Sequence, residues 1–486
     1  MPTRSVTPST YLTNYTDLRG GLNTALDPEL IDDNALSAVD NYIPDTRSGM
    51  LIKREGLTTA SSVLTAAVTS VYDGALNNYC TLPTAIHDFA GTELATGLTS
   101  STDPDWATFN AIDLFCNGTE VQKTSNGTTF ASLGGTPPAG KYIAVYNQMV
   151  FLAGHDATSL RWTDTATYET WPATNSFTLG STEDPITGLA VFKDTLIVFC
   201  KYSFYHLRGY GNLEMQISNR VPDEGSLSHR SICVTPYGLF WWSRNGLTFS
   251  PDGFSVQYPM LAKHPALIDA VNRSQDALIH CVWNPIEDRV EGWCFTGSSS
   301  TCNQKFFFYP KLDSLWLASG AAANMGASGL ATVSGVTNVY AGSAAASGYL
   351  YKVEGNTDSG VPITSYLETK QDTSEYGPTA IKKATSLMVR FLAASGEYYI
   401  TYAVYLNNRT SPTYSWQLPF VTPGNVFMLD SSVLDGPDIL GSEFSSYNHE
   451  VFLNQRWTQI KHRIYDASVY RTRIRGIVNK GRLVKL

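Results

Sequence analysis

The chain has 486 residues, of which 43% are hydrophobic, 12% aromatic and only 16% charged, and its formal net charge is −9. That length suffices for about three average domains or for one large β architecture with additions, and the charged share lies below the roughly 25% of an average globular protein. A net negative chain is poorly suited to gripping nucleic acid, whose affinity comes from neutralising phosphates, whereas an acidic lining would let DNA slide.

Residues 1–58 read as a separate N-terminal arm. Its opening, Met1-Pro2-Thr3-Arg4, is polar and has no secretory core. After Arg19-Gly20-Gly21-Leu22-Asn23, the stretch from Asp27 to Asn41 predicts one short amphipathic helix, with Asp27 as N-cap and Pro28 at the first helical position. A turn and a short strand follow between Gly49 and Gly56.

From about Ser70 to Gly355 the pattern is strand and turn with almost no helical period. Units of strand, turn and strand recur at 142–152 and 189–199, and again in Gly238-Leu239-Phe240-Trp241-Trp242-Ser243 followed by Asn245-Gly246 and Leu247-Thr248-Phe249. Asn-Gly suits the positive φ of a two-residue type I′ turn. Leu239 and Trp241 point one way along that strand and Phe240 and Trp242 the other, so both faces are apolar and both must be covered. A further unit centres on Asp288, and the turns at 147, 194, 245 and 288 are spaced by 47, 51 and 43 residues. Similar units are expected at 112–133 and 339–353. A period of 40 to 50 residues with about four strands in each unit is the signature of propeller blades. A β-propeller over 59–357 is therefore expected, with a set of ordinary β-sandwiches as the competing reading.

Beyond Pro362 the strands lengthen and alternate, as in Tyr398-Tyr399-Ile400-Thr401-Tyr402-Ala403-Val404-Tyr405-Leu406. Residues 358–486 predict a β-sandwich-like domain. Its last 31 residues hold nine Lys or Arg against one Asp, and Arg471, Arg473 and Arg475 share one strand face. A solvated face, a contact with an acidic neighbouring subunit and a contact with DNA are the three readings of that row, and an assembly interface is the functional one.

Chemical motifs are sparse. Gly135-Thr136-Pro137-Pro138-Ala139-Gly140-Lys141 fits a phosphate-loop spacing, but Tyr142 stands where a metal-binding Ser or Thr belongs and a strand follows instead of a helix. Gly209-Tyr210-Gly211-Asn212-Leu213-Glu214 lacks the third glycine of a dinucleotide fingerprint. The eight histidines show no HExxH spacing, and no GxSxG elbow occurs. Asp103 with Asp105, and Asp223 with Glu224, read as solvated turn residues rather than a glycosidase acid and base. Ser125-Asn126-Gly127-Thr128-Thr129-Phe130 resembles an Asp-box turn without its Asp. Seven cysteines, odd in number and without CxxC spacing, predict buried thiols. With no apolar run of about 18 residues, a soluble protein made in a cytoplasm, without membrane span, catalytic residue, cofactor or metal, is expected.

Taken in order, several of these features resemble the tail hub or nozzle proteins of short-tailed bacteriophages, the family that includes packaged-DNA stabilisation proteins. They are Gly20 to Asn23 with the 27–41 stretch and the 49–56 turn, Leu160-Arg161-Trp162-Thr163-Asp164 leading to Trp171-Pro172, the 188–209 and 238–253 stretches, and the basic C-terminal strands. Thr163 departs from the Ser expected of the family. The resemblance implies a structural virion protein of the tail, assembled in the host cytoplasm as a homohexameric ring. That ring would contact adaptor and portal-side proteins and tail fibres or spikes, and viral DNA would pass through its lumen without sequence-specific binding. A glycan-active propeller enzyme and a carbohydrate-binding receptor module are the alternatives.

Overall fold

Aromatic and β-branched runs punctuated by tight turns favour strands over helices, and strands supply nearly all the regular structure in the computed structural model. The structure describes residues 10–211, 213–374, 376–394, 396–420, 426–427, 439–440 and 444–485. The polar opening 1–4, Asn212 of the glycine-rich 209–214 stretch and the terminal Leu486 lie outside the described residues. The chain divides into two compact units, one of residues 57–310 and 319–354, the other of 1–56, 311–318 and 355–486. Among the described residues, no helix is long and apolar enough to cross a membrane.

The first unit is a β-propeller. Among the described residues its strands form seven antiparallel sheets, here blades 1 to 7, with innermost strands Ser70–Asp73, Asp105–Phe109, Tyr142–Tyr146, Ile186–Phe192, Cys233–Thr235, His280–Asn284 and Met325–Val333. Inner strands of successive blades lie side by side, and Met325–Val333 packs against Ser70–Asp73 to close the circle. Blade 7 is completed from the other end of the unit, because Leu57–Thr59 pairs with Leu350–Val353 as its fourth strand. Joining the two ends of the unit in one sheet removes the open edge that would otherwise let the circle unzip.

Short hairpins link the first two strands in blades 2, 3 and 4. Asn110-Ala111, Asn147-Gln148 and Lys193-Asp194 all have positive φ at both positions, the type I′ geometry whose twist matches the flanking strands. The Gly238–Ser243 hairpin of blade 5 departs from its expected turn. Ser243 pairs with Gly246, so Arg244 and Asn245 form the loop, and of the three residues 244–246 Gly246 alone has positive φ, at +81°. This is a type I turn closed by a left-handed glycine rather than a type I′ Asn-Gly turn.

The apolar character of both faces of that hairpin is explained by its neighbours. Leu239 and Trp241 join Phe192, Phe199 and Phe204 of blade 4 in one core, while Phe240 and Trp242 meet Phe308 and Phe306 of blade 6, each pair 5.8 Å apart. All seven cysteines are buried free thiols. Burial pushes Cys80 and Cys233 up to about 12, which suppresses the reactive thiolate.

The second unit is β-sandwich-like. One sheet runs Tyr42–Pro44, Leu51–Lys53, Arg473–Lys485, Ile381–Ala394 and Phe444–Val451, with Thr10–Tyr15 also on Arg473–Lys485. The other runs Gly21–Leu22, Ala35–Asp40, Ser365–Thr369, Ile460–Asp466, Tyr398–Leu406 and Tyr414–Phe420. Their inner faces meet through Tyr15 with His462 (5.7 Å) and Phe391 with Phe420 (5.1 Å).

Two expectations for the N-terminal segment are corrected here. No helix spans 27–41. Asp27 accepts the Glu29 N–H (3.1 Å) in a local turn, and Ala35–Asp40 is a strand paired with Ser365–Thr369. Tertiary pairing overrides the weak helical pattern because Leu36 and Val39 are buried on a sheet. Nor are residues 1–58 a separate arm, since the five strands between Thr10 and Lys53 belong to the two sheets above. Buried ion pairs add to the join. Lys53 Nζ lies 2.9 Å from Asp466, and Arg54 bonds both oxygens of Asp358, at 2.8 and 2.6 Å. Burial lowers Lys53 and raises Asp466, so each holds its charge only because the other is present.

Candidate functional site: the axis of the propeller

Propellers converge their inner strands on a central channel, so polar side chains there come from distant parts of the sequence. Asp105 opens the inner strand of blade 2. Its Oδ1 accepts the Trp106 N–H (2.8 Å), and its Oδ2 accepts the Ile143 N–H of blade 3 (2.8 Å). His229 stands in the 3-10 turn His229–Ser231 that leads into blade 5. Its Nε2 lies 2.8 Å from Asp105 Oδ2, and the Leu189 N–H of blade 4 points at its Nδ1 from 3.4 Å. Burial is the largest influence on His229 and opposes its charge, but the Asp105 carboxylate beside it leaves the imidazole raised above its ordinary value.

Arg230 crosses the channel. Its guanidinium donates to the Thr102 carbonyl (3.3 Å), in the connection into blade 2, and to the Gly326 carbonyl of blade 7. It lines two cavities. One of about 120 Å³ includes Val68, Thr102, Cys302 and Gly326. The other, of about 290 Å³, includes Tyr72, Asp105, Trp106, His229 and Ser328. The second set lies further along the inner strands Ser70–Asp73 and Met325–Val333, and Arg230 borders both cavities. Asp103 Oδ1 is buried without a hydrogen-bond partner. Burial raises this carboxyl, and Arg230 and His229 oppose the rise.

Both imidazole nitrogens of His229 and both oxygens of Asp105 thus have partners within the propeller. The Ser70 hydroxyl in the larger cavity already takes the Trp106 Nε1–H (3.0 Å) and shares a hydrogen bond with Thr81 (2.6 Å). Burial pushes the Cys302 thiol up to about 12. The arrangement ties blades 2, 3, 4, 5 and 7 together across the axis. Among the described residues no group of three or more His, Cys, Asp or Glu side chains is placed to hold a metal ion.

Asp103 and Asp105 are thus not solvated turn residues, as their spacing suggests, but part of this axial cluster. His229 and Arg230 were not legible as their partners, because the residues are more than 120 positions apart and no motif links them. The second carboxylate pair separates, with Asp223 in an exposed left-handed turn and Glu224 accepting the Tyr258 hydroxyl.

The arginine row lies on the second unit. Arg471 donates to the Lys53 carbonyl (2.9 Å) and to Glu55 (3.1 Å), and Arg473 to Asp45 (3.1 Å). Arg475 is exposed and reaches Ser446 (3.4 Å). The intervening Thr472 and Ile474 are buried, so the three arginines share a face as expected. Two of them clamp the 45–55 segment of their own chain.

No family model and no curated protein matches the chain. Among solved structures the chain is similar to the Pan2 WD40 domain of Neurospora crassa, with 6% identity over 62% of this chain and 96% of that one and a TM-score of 0.41. It is also similar to PorZ, a bacterial surface component of the type-IX secretion system of Porphyromonas gingivalis, with 11% identity over 68% of this chain and 44% of PorZ and a TM-score of 0.38.

Proposed function

We propose that the chain is a structural, non-catalytic subunit of a short-tailed bacteriophage tail, the nozzle or hub. It assembles as a ring, six-fold in our reading, that continues the DNA channel below portal and adaptor, retains packaged DNA and lets it pass on ejection. The observation that carries the non-catalytic part is the axial cluster. Where a propeller would hold a substrate, Asp105, His229 and Arg230 are bonded to one another or to the backbone of other blades, which favours a braced building block. The ordered sequence features shared with tail hub and nozzle proteins support the virion role. The net charge of −9 suits a lumen past which DNA slides without being gripped. Arg475 and the exposed parts of the basic C-terminal strand are the surface we assign to neighbouring subunits. Sedimentation of the purified chain, alone and with its adaptor, tests the reading. A species of about six copies is expected, and a monomer under both conditions overturns it.

A further inference from the structure

Most buried cations of this protein are matched by carboxylates. Lys53 has Asp466, Arg54 has Asp358, and Arg289 and Lys305 share Glu291. A cleft of about 650 Å³ on the propeller, between blades 4 and 5, gathers exposed cations instead. Lys201, Arg244 and Arg273 line it against one acid, Asp276. Arg244 donates to the Asp223 carbonyl (3.3 Å), and Arg273 to the carbonyls of Arg244 (3.0 Å) and Ile268 (3.2 Å). Carbonyl dipoles hold these side chains in place without cancelling their charge.

Three cations against one acid leave the lining with an excess of positive charge. Asp276 pairs with Arg273 at 3.6 Å, and its Oδ1 has no hydrogen-bond partner. Glu224, within electrostatic reach of Arg244, is raised by burial. Tyr202 is 42% exposed and lines the same cleft, with Lys201 Nζ 5.0 Å from its ring centroid. A flat aromatic face beside an excess of cations, in a cleft within the roughly 300–1,000 Å³ range of small-ligand sites, fits a ring-shaped body carrying an acidic group.

We propose that this cleft binds a small acidic sugar, its phosphate, sulfate or carboxylate held by Lys201, Arg244 and Arg273 and its ring laid on Tyr202. The proposal is independent of the ring-assembly reading. Calorimetric titration of the full chain with glucose 6-phosphate, glucuronic acid, glucose and inorganic phosphate tests it, beside the Lys201→Gln/Arg244→Gln double variant. Both side chains are exposed, so the variant is expected to melt with the wild type while its affinity for the acidic sugars falls about tenfold or more. Glucose should not bind. Tighter binding of the acidic sugars than of inorganic phosphate assigns the site to a sugar. Equal binding of sugar and inorganic phosphate leaves an anion site and overturns the sugar assignment. Absence of binding, or equal binding by wild type and double variant, overturns the site. A Tyr202→Ala variant that keeps full affinity for the acidic sugars removes the stacking role and overturns the stated geometry.

Discussion

Trp241→Ala tests the claim that the aromatic residues of the blade 5 hairpin pack blades together. Trp241 is fully buried, with ring centroids 5.4 Å from Phe199 and 5.7 Å from Phe204 of blade 4. Its indole N–H donates to the Gly225 carbonyl (3.1 Å). Truncating a buried Trp to Ala costs about 3–5 kcal/mol through lost transfer energy and the cavity left behind, and stranding the Gly225 carbonyl adds about 1 kcal/mol. A total of about 5 kcal/mol lowers Tm by about 10–20 °C at the roughly 2–4 °C per kcal/mol expected of a larger domain. Scanning calorimetry reads this directly. Trp241→Phe, which keeps most of the packing and loses only the N–H and some volume, should recover more than half of the loss. A Trp241→Ala protein that melts within about 2 °C of wild type and loses only a ligand would refute the packing argument, because the indole would then belong to a binding surface.

Three further outcomes follow from buried charge and backbone geometry. Glu291 is fully buried against Arg289 (2.8 Å) and Lys305 (2.7 Å); burial opposes its charge most strongly, but the two cations prevail and bring it from 4.5 down to about 2. Because its folded value is depressed, the carboxylate contributes stability above pH 4.5 that is lost as pH falls toward 2. At about 1.4 kcal/mol per pH unit this amounts to about 3 kcal/mol, and Glu291→Gln should remove both that stability and its share of the acid dependence in urea titrations run at several pH values. Asp466→Asn, which leaves Lys53 buried without its counter-charge, should cost about 3–5 kcal/mol, while Lys53→Met/Asp466→Leu should recover much of it, as read by denaturant midpoints. Gly246→Ala places a Cβ at φ +81°, 2.9 Å from Ile268 Cγ1 and 3.0 Å from Met260 Sδ, and should cost at least about 1 kcal/mol by the same measurement.

The propeller was legible from sequence because its blades carry their evidence locally. The 238–243 strand is apolar on both faces since blade 4 takes Trp241 and blade 6 takes Phe306 and Phe308 to its other side, and tight turns recur between such strands. What escaped the sequence is non-local. Leu57–Thr59 reads as the end of an arm, yet it closes blade 7 through a partner almost 300 residues away. Ala35–Asp40 has residues compatible with a helix, and only the waiting edge of Ser365–Thr369 makes it a strand. The axial cluster needs the circle itself, since Asp105 and His229 meet only when blades 2 and 5 share one channel. In the arginine row, alternation revealed the common face, but nothing in 471–475 announces that Glu55 and Asp45 will meet two of its members.

The central claim, that this chain is a ring-forming tail subunit, is tested most directly by electron microscopy of the purified protein with and without its adaptor. The account predicts rotationally symmetric rings with an open lumen wide enough for duplex DNA. Particles that remain single two-unit monomers at every concentration, with the adaptor present, would contradict it.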